Sequence, residues 1–352
     1  MPFRIEPPMK SLARSALCVA GIFLIQNTTL AQDLHFSQFS ETPILRNPAL
    51  AGIFTGDLRI HSVFRTQWNS VTVPFQTCSL NGEYKIPVGH ANDYLTLGGA
   101  ILYDKAGTIA LTETDVLPVL NYHKSLSDYR NMYLSAGFSA GFTQKRFDPS
   151  KMTTNNQFDG MDYNSSLGTG ENFSQNNYLY FDGSAGLSFS SQIGDNIDNN
   201  MYLGVSYHHI NNSAKASFYN SPDARLKPKW VFSGGLKLSV SDYAFTTFYS
   251  DYSIQGPYTE AIAGAIYTIK LDDANDPVYT ISGGGFIRWA DAFIPVVKLE
   301  TNPLSFALSY DINISELKPA SLSRGGFELS ISYKKFINID NSVRDGVRCP
   351  SF

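Results

Sequence analysis

The residues best suited to chemistry in this sequence are two adjacent histidines and a group of aspartates. His208 and His209 follow an alternating, strand-like pattern. Neighbours on a strand point to opposite faces, so we expect these two rings not to bind one metal ion together. Asp272, Asp273 and Asp276 lie in a short polar stretch that lacks the glycine and closing glutamate of a calcium loop. A solvated turn is expected there, with weak calcium binding as the alternative.

Other chemistry-bearing residues are scattered. The glycines at 283–285 lie within a strand-like stretch, which favours a bend or a close backbone approach over a phosphate cradle. Cys78 and Cys349 are too few for a disulfide framework or a zinc site, and whether they pair is left open. No set of serine, histidine and aspartate presents itself as a triad. We therefore expect no enzyme activity, no metal and no cofactor.

The charge balance argues against a polyanionic partner. The 352 residues include 27 Lys and Arg against 31 Asp and Glu, a net charge of −4. The basic excess that holds nucleic acid is missing, so no nucleic acid partner is expected. Only 16% of residues are charged and 13% are aromatic, whereas about 25% charged residues are usual. Such a chain suits a β-rich protein better than a disordered one.

Residues 1–31 are expected to form a secretion signal peptide. Basic residues precede an apolar stretch at 15–25, and Thr29 and Ala31 place small residues before Gln32. The apolar stretch is shorter than the about 20 residues that a membrane-spanning helix needs. The mature chain is therefore expected to begin at Gln32.

Apolar and polar residues alternate with a period of two through the mature chain. In the stretch 130–146, Met132, Leu134, Phe138 and Phe142 share one face, whereas serine and glycine dominate the other. This pattern is typical of strands, and no segment keeps a helical apolar period for three turns. Fourteen strands are predicted: 58–69, 76–87, 93–104, 109–125, 130–146, 177–193, 200–211, 229–240, 243–254, 258–270, 277–289, 291–300, 303–314 and 323–337.

The length and number of these strands favour a membrane barrel. Strands of soluble sheets typically have about 5–6 residues, whereas tilted strands that cross a bilayer need about 9–11. Bacterial outer-membrane barrels also have an even strand number. We predict an all-β fold, a transmembrane antiparallel β-barrel over residues 58–337 with a C-terminal tail at 338–352. A soluble all-β protein is one alternative, and a barrel of twelve or sixteen strands is the other.

The sequence also predicts which face of one strand meets lipid and at which end of the barrel the longest loops lie. The apolar face of 130–146 is expected to meet lipid. The two longest connections, 148–176 and 212–228, both follow odd-numbered strands. They should therefore lie together at one end, which we expect to be the outer one, because the long loops of such barrels are extracellular.

The segment 32–57 precedes the first strand and has little regular period. Its large apolar residues, such as Phe36 and Phe39, are costly to keep in water. We expect a plug in or under the lumen, with contact to a periplasmic partner or disorder as alternatives. Because it leads directly into the first strand, the segment is expected to begin on the periplasmic side.

Motifs near the start of the mature chain resemble those of a known family. They are Phe-Ser-Gln-Phe at 36–39, Asn-Pro-Ala-Leu-Ala-Gly at 47–52, and Arg65 followed by Gln67 and Trp68. With the Arg-Cys-Pro-Ser-Phe end, they make the chain similar to the PorP/SprF family of type IX secretion membrane proteins of Bacteroidota. The candidate plug or partner residues are Phe36, Ser37, Gln38, Phe39, Asn47, Pro48, Gly52, Arg65, Gln67 and Trp68.

The resemblance implies an outer-membrane barrel that works with type IX secretion. Its implied role is to support export or surface anchoring of a large adhesin-like cargo, in gliding or attachment. The implied partners are an exported adhesin with a C-terminal sorting domain, periplasmic or outer-membrane type IX components, and outer-membrane lipid. A passive channel for small solutes is the alternative function, and a structural barrel without transport is a further one.

Overall fold

The structure of the chain is a computed structural model. It describes residues 33–68, 73–89, 92–127, 129–196, 198–211, 218–219, 225–274, 277–315 and 324–337. The expected signal peptide, the expected tail at 338–352 and Cys349 lie outside the described residues.

The described residues form fourteen strands that follow one another around a closed barrel. Every neighbouring pair is antiparallel, and β1 pairs with β14 from Leu58↔Lys335 to Gln67↔Gly326, which closes the sheet. The strands are β1 (Leu58–Gln67), β2 (Phe75–Val88), β3 (Asp93–Ala106), β4 (Leu111–Ser127), β5 (Met132–Arg146), β6 (Asn177–Gln192), β7 (Asn200–His208), β8 (Lys229–Ser241), β9 (Ala244–Gln255), β10 (Tyr258–Lys270), β11 (Tyr279–Arg288), β12 (Ala292–Thr301), β13 (Leu304–Asn313) and β14 (Arg324–Lys335).

The predicted fold class is confirmed. Each predicted strand is present with ends displaced by three residues or fewer. No helix among the described residues is long and apolar enough to span a membrane. The few helical turns are three or four residues long: Phe39–Glu41, Pro43–Arg46, Pro48–Leu50, Pro149–Lys151 and Asn155–Gln157.

The two faces of the barrel wall have opposite character. Outward positions carry large apolar side chains; on β5, Leu134, Phe138 and Phe142 point outward, and Phe138 is 59% exposed. Inward positions are mostly polar and buried, as Ser135 on β5 and Asn121 on β4 illustrate. An apolar exterior around a polar interior is the pattern of a barrel that meets lipid.

The two ends of the barrel also differ. We call the end where β1 begins and β14 ends the terminal end, and the opposite one the long-loop end. At the long-loop end the connections β5–β6 and β7–β8 contact each other: the backbone N–H of Ser174 donates to the carbonyl of Phe218 at 3.1 Å. The ring of Phe218 also packs against Phe147, with centroids 4.7 Å apart. The prediction that these loops lie together is confirmed, and their exposure outside the cell stays a prediction.

The glycines at 283–285 lie within β11, where it runs close to β10. A Cβ added to Gly284 would lie 2.1 Å from the carbonyl oxygen of Ala265, and one added to Gly264 would lie 2.1 Å from that of Gly285. Only glycine fits such an approach, so the expected close backbone contact is confirmed.

Candidate functional site

Residues 35–57, which we call the lumen segment, run through the interior of the barrel. Short turns shape its path, because Pro43 and Pro48 each start a helical turn and the Asn47 side chain caps the second by accepting from the N–H of Ala49 at 2.8 Å. The segment buries its apolar residues against the inner wall, including Phe36, Phe39, Ile44, Leu50 and Phe54.

The first anchor of the lumen segment is a carboxylate on β14. The backbone N–H groups of Ser37 and Gln38 donate to the two oxygens of Glu328, at 2.6 and 2.7 Å. The hydroxyl of Ser37 donates to Asp311 on β13 at 2.7 Å. The Phe-Ser-Gln-Phe motif is therefore held by Glu328 through its backbone and by Asp311 through the Ser37 side chain.

Two arginines balance these carboxylates. Arg65 on β1 lies 3.1 Å from Asp311 and 3.2 Å from Glu328, and it donates to the carbonyl of His35. Arg288 on β11 lies 2.7 Å from Asp311. All four side chains are buried, and Glu328 is fully so. Buried charges persist when they are paired and hydrogen-bonded, so this charge cluster fixes the start of the lumen segment in one place.

The other predicted residues at the end of β1, Gln67 and Trp68, take different positions. With its amide oxygen turned toward Arg65, Gln67 accepts from Nη1 at 3.1 Å and so belongs to the charge cluster. Trp68 follows the strand in a left-handed conformation, with φ of 62°. It is half-buried and is not among the described residues that hold the lumen segment.

The second anchor lies in the middle of the lumen segment. Arg46 pairs with Asp251 on β9 and donates to the hydroxyl of Tyr202 on β7 at 3.2 Å. The Arg46 guanidinium also lies 4.8 Å from the centroid of the Phe39 ring, which packs against Phe286 on β11 with centroids 4.9 Å apart. This anchor joins an ion pair to an aromatic contact.

Glu41 adds a further ionic contact between the segment and the wall. It lies 2.9 Å from Lys298 on β12. Burial raises the pKa of Glu41, but Lys298 and Lys334 offset this, so the pKa lies below its ordinary value. Glu41 is therefore ionised near neutral pH.

The Asn-Pro-Ala turn lies against a wall of glycines. The amide of Asn47 donates to the carbonyl of Leu187 on β6 at 3.2 Å. A Cβ on Gly137 of β5 would lie 2.4 Å from the backbone of the Pro48–Ala49 link, and one on Gly186 of β6 would lie 1.9 Å from Asn47. These inward glycines leave room for the turn. The sequence signal for this space is the small residues that alternate along β5 and β6.

The lumen segment turns at Gly52 toward the start of β1. Its φ of 87° favours glycine, and a Cβ there would lie 2.1 Å from Thr96. The N–H of Gly52 donates to Glu83 on β2 at 2.6 Å, and Glu83 pairs with Arg59 on β1 at 2.6 Å. The chain then turns directly into β1.

These contacts show where the segment packs. Residues 35–57 pack inside the lumen, as expected for a plug, so the disordered alternative is not supported. The expectation that the segment begins at the end where β1 begins is wrong. Arg65, Arg288 and Asp311 all lie within three residues of the long-loop ends of their strands, so the segment starts near that end and runs toward the terminal end.

Sequence reasoning did not identify the charged wall residues that hold the segment. They share one signal, because each is a charged residue at an inward position of its strand. They are Arg59, Glu83, Lys85, Asp251, Arg288, Lys298, Asp311 and Glu328.

The adjacent histidines do not face opposite sides of the wall, and that expectation is wrong. β7 ends at His208, and His209 turns back with φ of 61°. His208 Nε2 lies 3.0 Å from the carbonyl of Arg46, and His209 Nδ1 lies 2.7 Å from Asp182 on β6. Within the described ranges, no three His, Cys, Asp or Glu residues are grouped to hold a metal ion.

The two remaining motifs lie in a turn and within a strand. Asp272 accepts from the backbone N–H groups of Val278 and Tyr279 and so caps its own turn; Asp276 lies outside the described residues. Residues 137–141 read Gly-Phe-Ser-Ala-Gly, a spacing that sequence reasoning passed over. In a nucleophile elbow the serine lies on a strand-to-helix turn, whereas Ser139 lies within β5 opposite Ser184 of β6.

The amino-acid sequence matches one described protein family over most of its length. The family described as "Type IX secretion system membrane protein PorP/SprF" matches residues 28–333. No curated protein matches the chain in sequence.

Several solved structures are similar to this chain at low identity. The toluene transporter TbuX of Ralstonia pickettii is 10% identical, with 87% of this chain and 96% of that chain covered and a TM-score of 0.49. A FadL homologue of Pseudomonas aeruginosa is 10% identical, with 84% and 94% covered and a TM-score of 0.49. The translocator domain of the autotransporter NalP from Neisseria meningitidis is 11% identical, with 92% and 99% covered and a TM-score of 0.39.

Proposed function

The chain belongs to the PorP/SprF family of type IX secretion system membrane proteins, and on this premise we propose that it supports the export or surface anchoring of a large adhesin-like cargo. It is an outer-membrane β-barrel, as its family and its closed sheet with an apolar exterior indicate. The proposed partners are an exported adhesin with a C-terminal sorting domain and other type IX components. We propose a binding and supporting role without catalysis.

The anchored lumen segment carries this proposal. It crosses the interior from the charge cluster at Glu328 to the turn at Gly52, and buried ion pairs hold it along the way. Holding a segment in place by so many specific contacts favours a fixed structural role over an open pore. Such a segment restricts leakage and gives a fixed surface at the long-loop end, next to the loops that we expect to meet the exported cargo.

A genetic experiment tests the proposed role in export. In a strain without this gene, the cell surface and the medium are compared by quantitative mass spectrometry for proteins that carry a type IX sorting domain. We expect at least one large adhesin-like protein to disappear from the surface and the wild-type gene to restore it. An unchanged surface proteome would refute the proposal.

A second allele tests the lumen segment itself. Deletion of residues 35–46 removes both the contacts to Glu328 and the Arg46–Asp251 pair but no strand. The barrel should still migrate differently in boiled and unboiled detergent gels, which controls for folding. We expect poor restoration of the cargo; full restoration would leave the export role intact and refute the part given to the segment.

The alternative of a passive channel makes a different electrical prediction. In planar bilayers, the wild-type barrel should show little steady conductance because the lumen segment packs inside the barrel. Deletion of 35–46 should raise the conductance. A large steady conductance of the wild type would favour the channel instead.

A further inference from the structure

A recess on the outside of the barrel wall, separate from the lumen, combines several cations with an aromatic side chain. It has a volume of about 380 Å³ and lies at the long-loop end, beside β3, β4 and β5. The residues that matter for its chemistry are Tyr103, Lys105, Thr112, Arg146, Asp148 and Lys151.

Strand register places two of these cations side by side. Lys105 on β3 lies opposite Thr112 on β4, and Thr112 lies opposite Arg146 on β5. All three belong to the outward-facing set of their strands, and the Lys105 and Arg146 side chains are exposed. The Thr112 hydroxyl donates to the carbonyl of Arg146 at 3.2 Å and so forms the floor between them.

The row formed by Lys105, Thr112 and Arg146 lies at the height of the headgroup layer of a bilayer. Lys105 and Arg146 each lie four residues beyond the exposed apolar side chains of Ile101 and Phe142, with Tyr103 between Ile101 and Lys105. Four residues span about 13 Å along a strand, or about 10 Å along the membrane normal at a tilt of about 40°. Headgroups extend about 5–7 Å beyond the hydrocarbon on each side, and aromatic residues such as Tyr103 mark that boundary.

The recess carries a net positive charge. Among the described residues that line it, Asp148 is the one acidic side chain. It accepts from the N–H of Ser150 at 3.1 Å and lies 3.6 Å from Lys151. The hydrogen bonds from Ser150 hold the pKa of Asp148 below its usual range. Asp148 therefore balances one of the three positive charges, which belong to Lys105, Arg146 and Lys151. In the part of the chain that the structure describes, Lys105 and Arg146 form no ion pair with a carboxylate.

We propose that this recess binds the phosphate group of a lipid headgroup in the leaflet next to the long-loop end. The planar guanidinium of Arg146 suits two phosphate oxygens at once, and Lys105 adds a second charge from the neighbouring strand. Ile101 and Phe142 below the recess receive the acyl chains of the same lipid. The proposal is independent of the proposed role in export.

Native mass spectrometry of the full chain in detergent tests this site. The protein is titrated with phosphatidic acid, and with a diacylglycerol of the same acyl chains that lacks the phosphate. The wild type should retain phosphatidic acid in preference to diacylglycerol. Lys105→Gln and Arg146→Gln should each weaken retention about fivefold, the usual effect of one cation near an anionic membrane surface.

Lys227→Gln is the matched control, because Lys227 is an exposed lysine at the same end of the barrel but outside the recess. It should bind like the wild type. Detergent-gel migration with and without boiling checks folding of these variants and of the double variant with both Lys105→Gln and Arg146→Gln. If the double variant does not fold, the two single variants are compared with the control instead.

The results separate a lipid from a soluble anion. Inorganic phosphate at millimolar concentration should leave the retained phosphatidic acid in place. Displacement by inorganic phosphate would assign the recess to a soluble phosphate and overturn the lipid proposal. Equal retention by the double variant and the control, or equal retention of the two lipids by the wild type, would also overturn it.

Discussion

Replacing Gly137 by alanine should push the lumen segment out of its place. Gly137 lies on the inner face of β5, directly against the Asn-Pro-Ala turn of the segment. An added Cβ would lie 2.4 Å from the backbone nitrogen of Ala49 and 2.5 Å from the carbonyl oxygen of Pro48. Both neighbours are backbone atoms, so no side chain can rotate away.

The size of the effect follows from this overlap. Non-bonded carbon atoms prefer a separation of about 3.5–4.0 Å, so the turn or the wall must move by about 1 Å. Overpacking of this kind costs about 1–3 kcal/mol. Gly82→Ala makes the same chemical change on β2 at a position where the new Cβ meets nothing within 4 Å. Without a clash, replacing a strand glycine by alanine should be neutral or stabilise by up to about 1 kcal/mol.

Two measurements compare these variants. Urea unfolding of the barrel in lipid vesicles gives the free energy of unfolding, and it should fall for Gly137→Ala only. Trypsin cleavage after Arg46 reports whether the segment has left its site, and it should be faster for Gly137→Ala. If Gly137→Ala and Gly82→Ala match in both measurements, the turn does not rest against β5 and the reasoning fails.

Three further predictions concern the anchors, the lipid face and the loops. Arg46→Met or Asp251→Asn alone should lower the free energy of unfolding by about 3–5 kcal/mol because each leaves a buried charge without its partner. A double-mutant cycle by urea unfolding measures the coupling, and strictly additive costs would show that the two side chains do not interact. Phe138→Arg should cost about 2–4 kcal/mol near the bilayer midplane, and Gln144→Arg near the membrane edge about 0–1 kcal/mol; equal costs in vesicle refolding would contradict the lipid-facing assignment. An epitope tag after Gly168, exposed on the β5–β6 loop, should bind antibody on intact cells; binding only after the outer membrane is broken would reverse the topology.

The period of two along the sequence was sufficient to predict the strands and their faces. In the stretch 130–146, alternation separates Leu134, Phe138 and Phe142 from the serines and glycines between them, and the same split appears on the barrel wall. The reason is local, because backbone geometry alone sends successive side chains to opposite sides. The motifs at 36–52 likewise identified the family without any contact being known.

The anchors of the lumen segment could not be predicted in this way. Ser37 and Glu328 are 291 positions apart in the chain, and they meet because β14 closes on β1 and carries Glu328 beside Arg65. Which inward charges become partners depends on register, closure and the path of the segment together, and none of these is encoded in a short window of sequence. His209 makes the same point on a smaller scale, since one residue with φ of 61° turned its ring to the lumen. Alternation therefore determined which face a residue belongs to, and only the closed barrel decided which residues meet inside it.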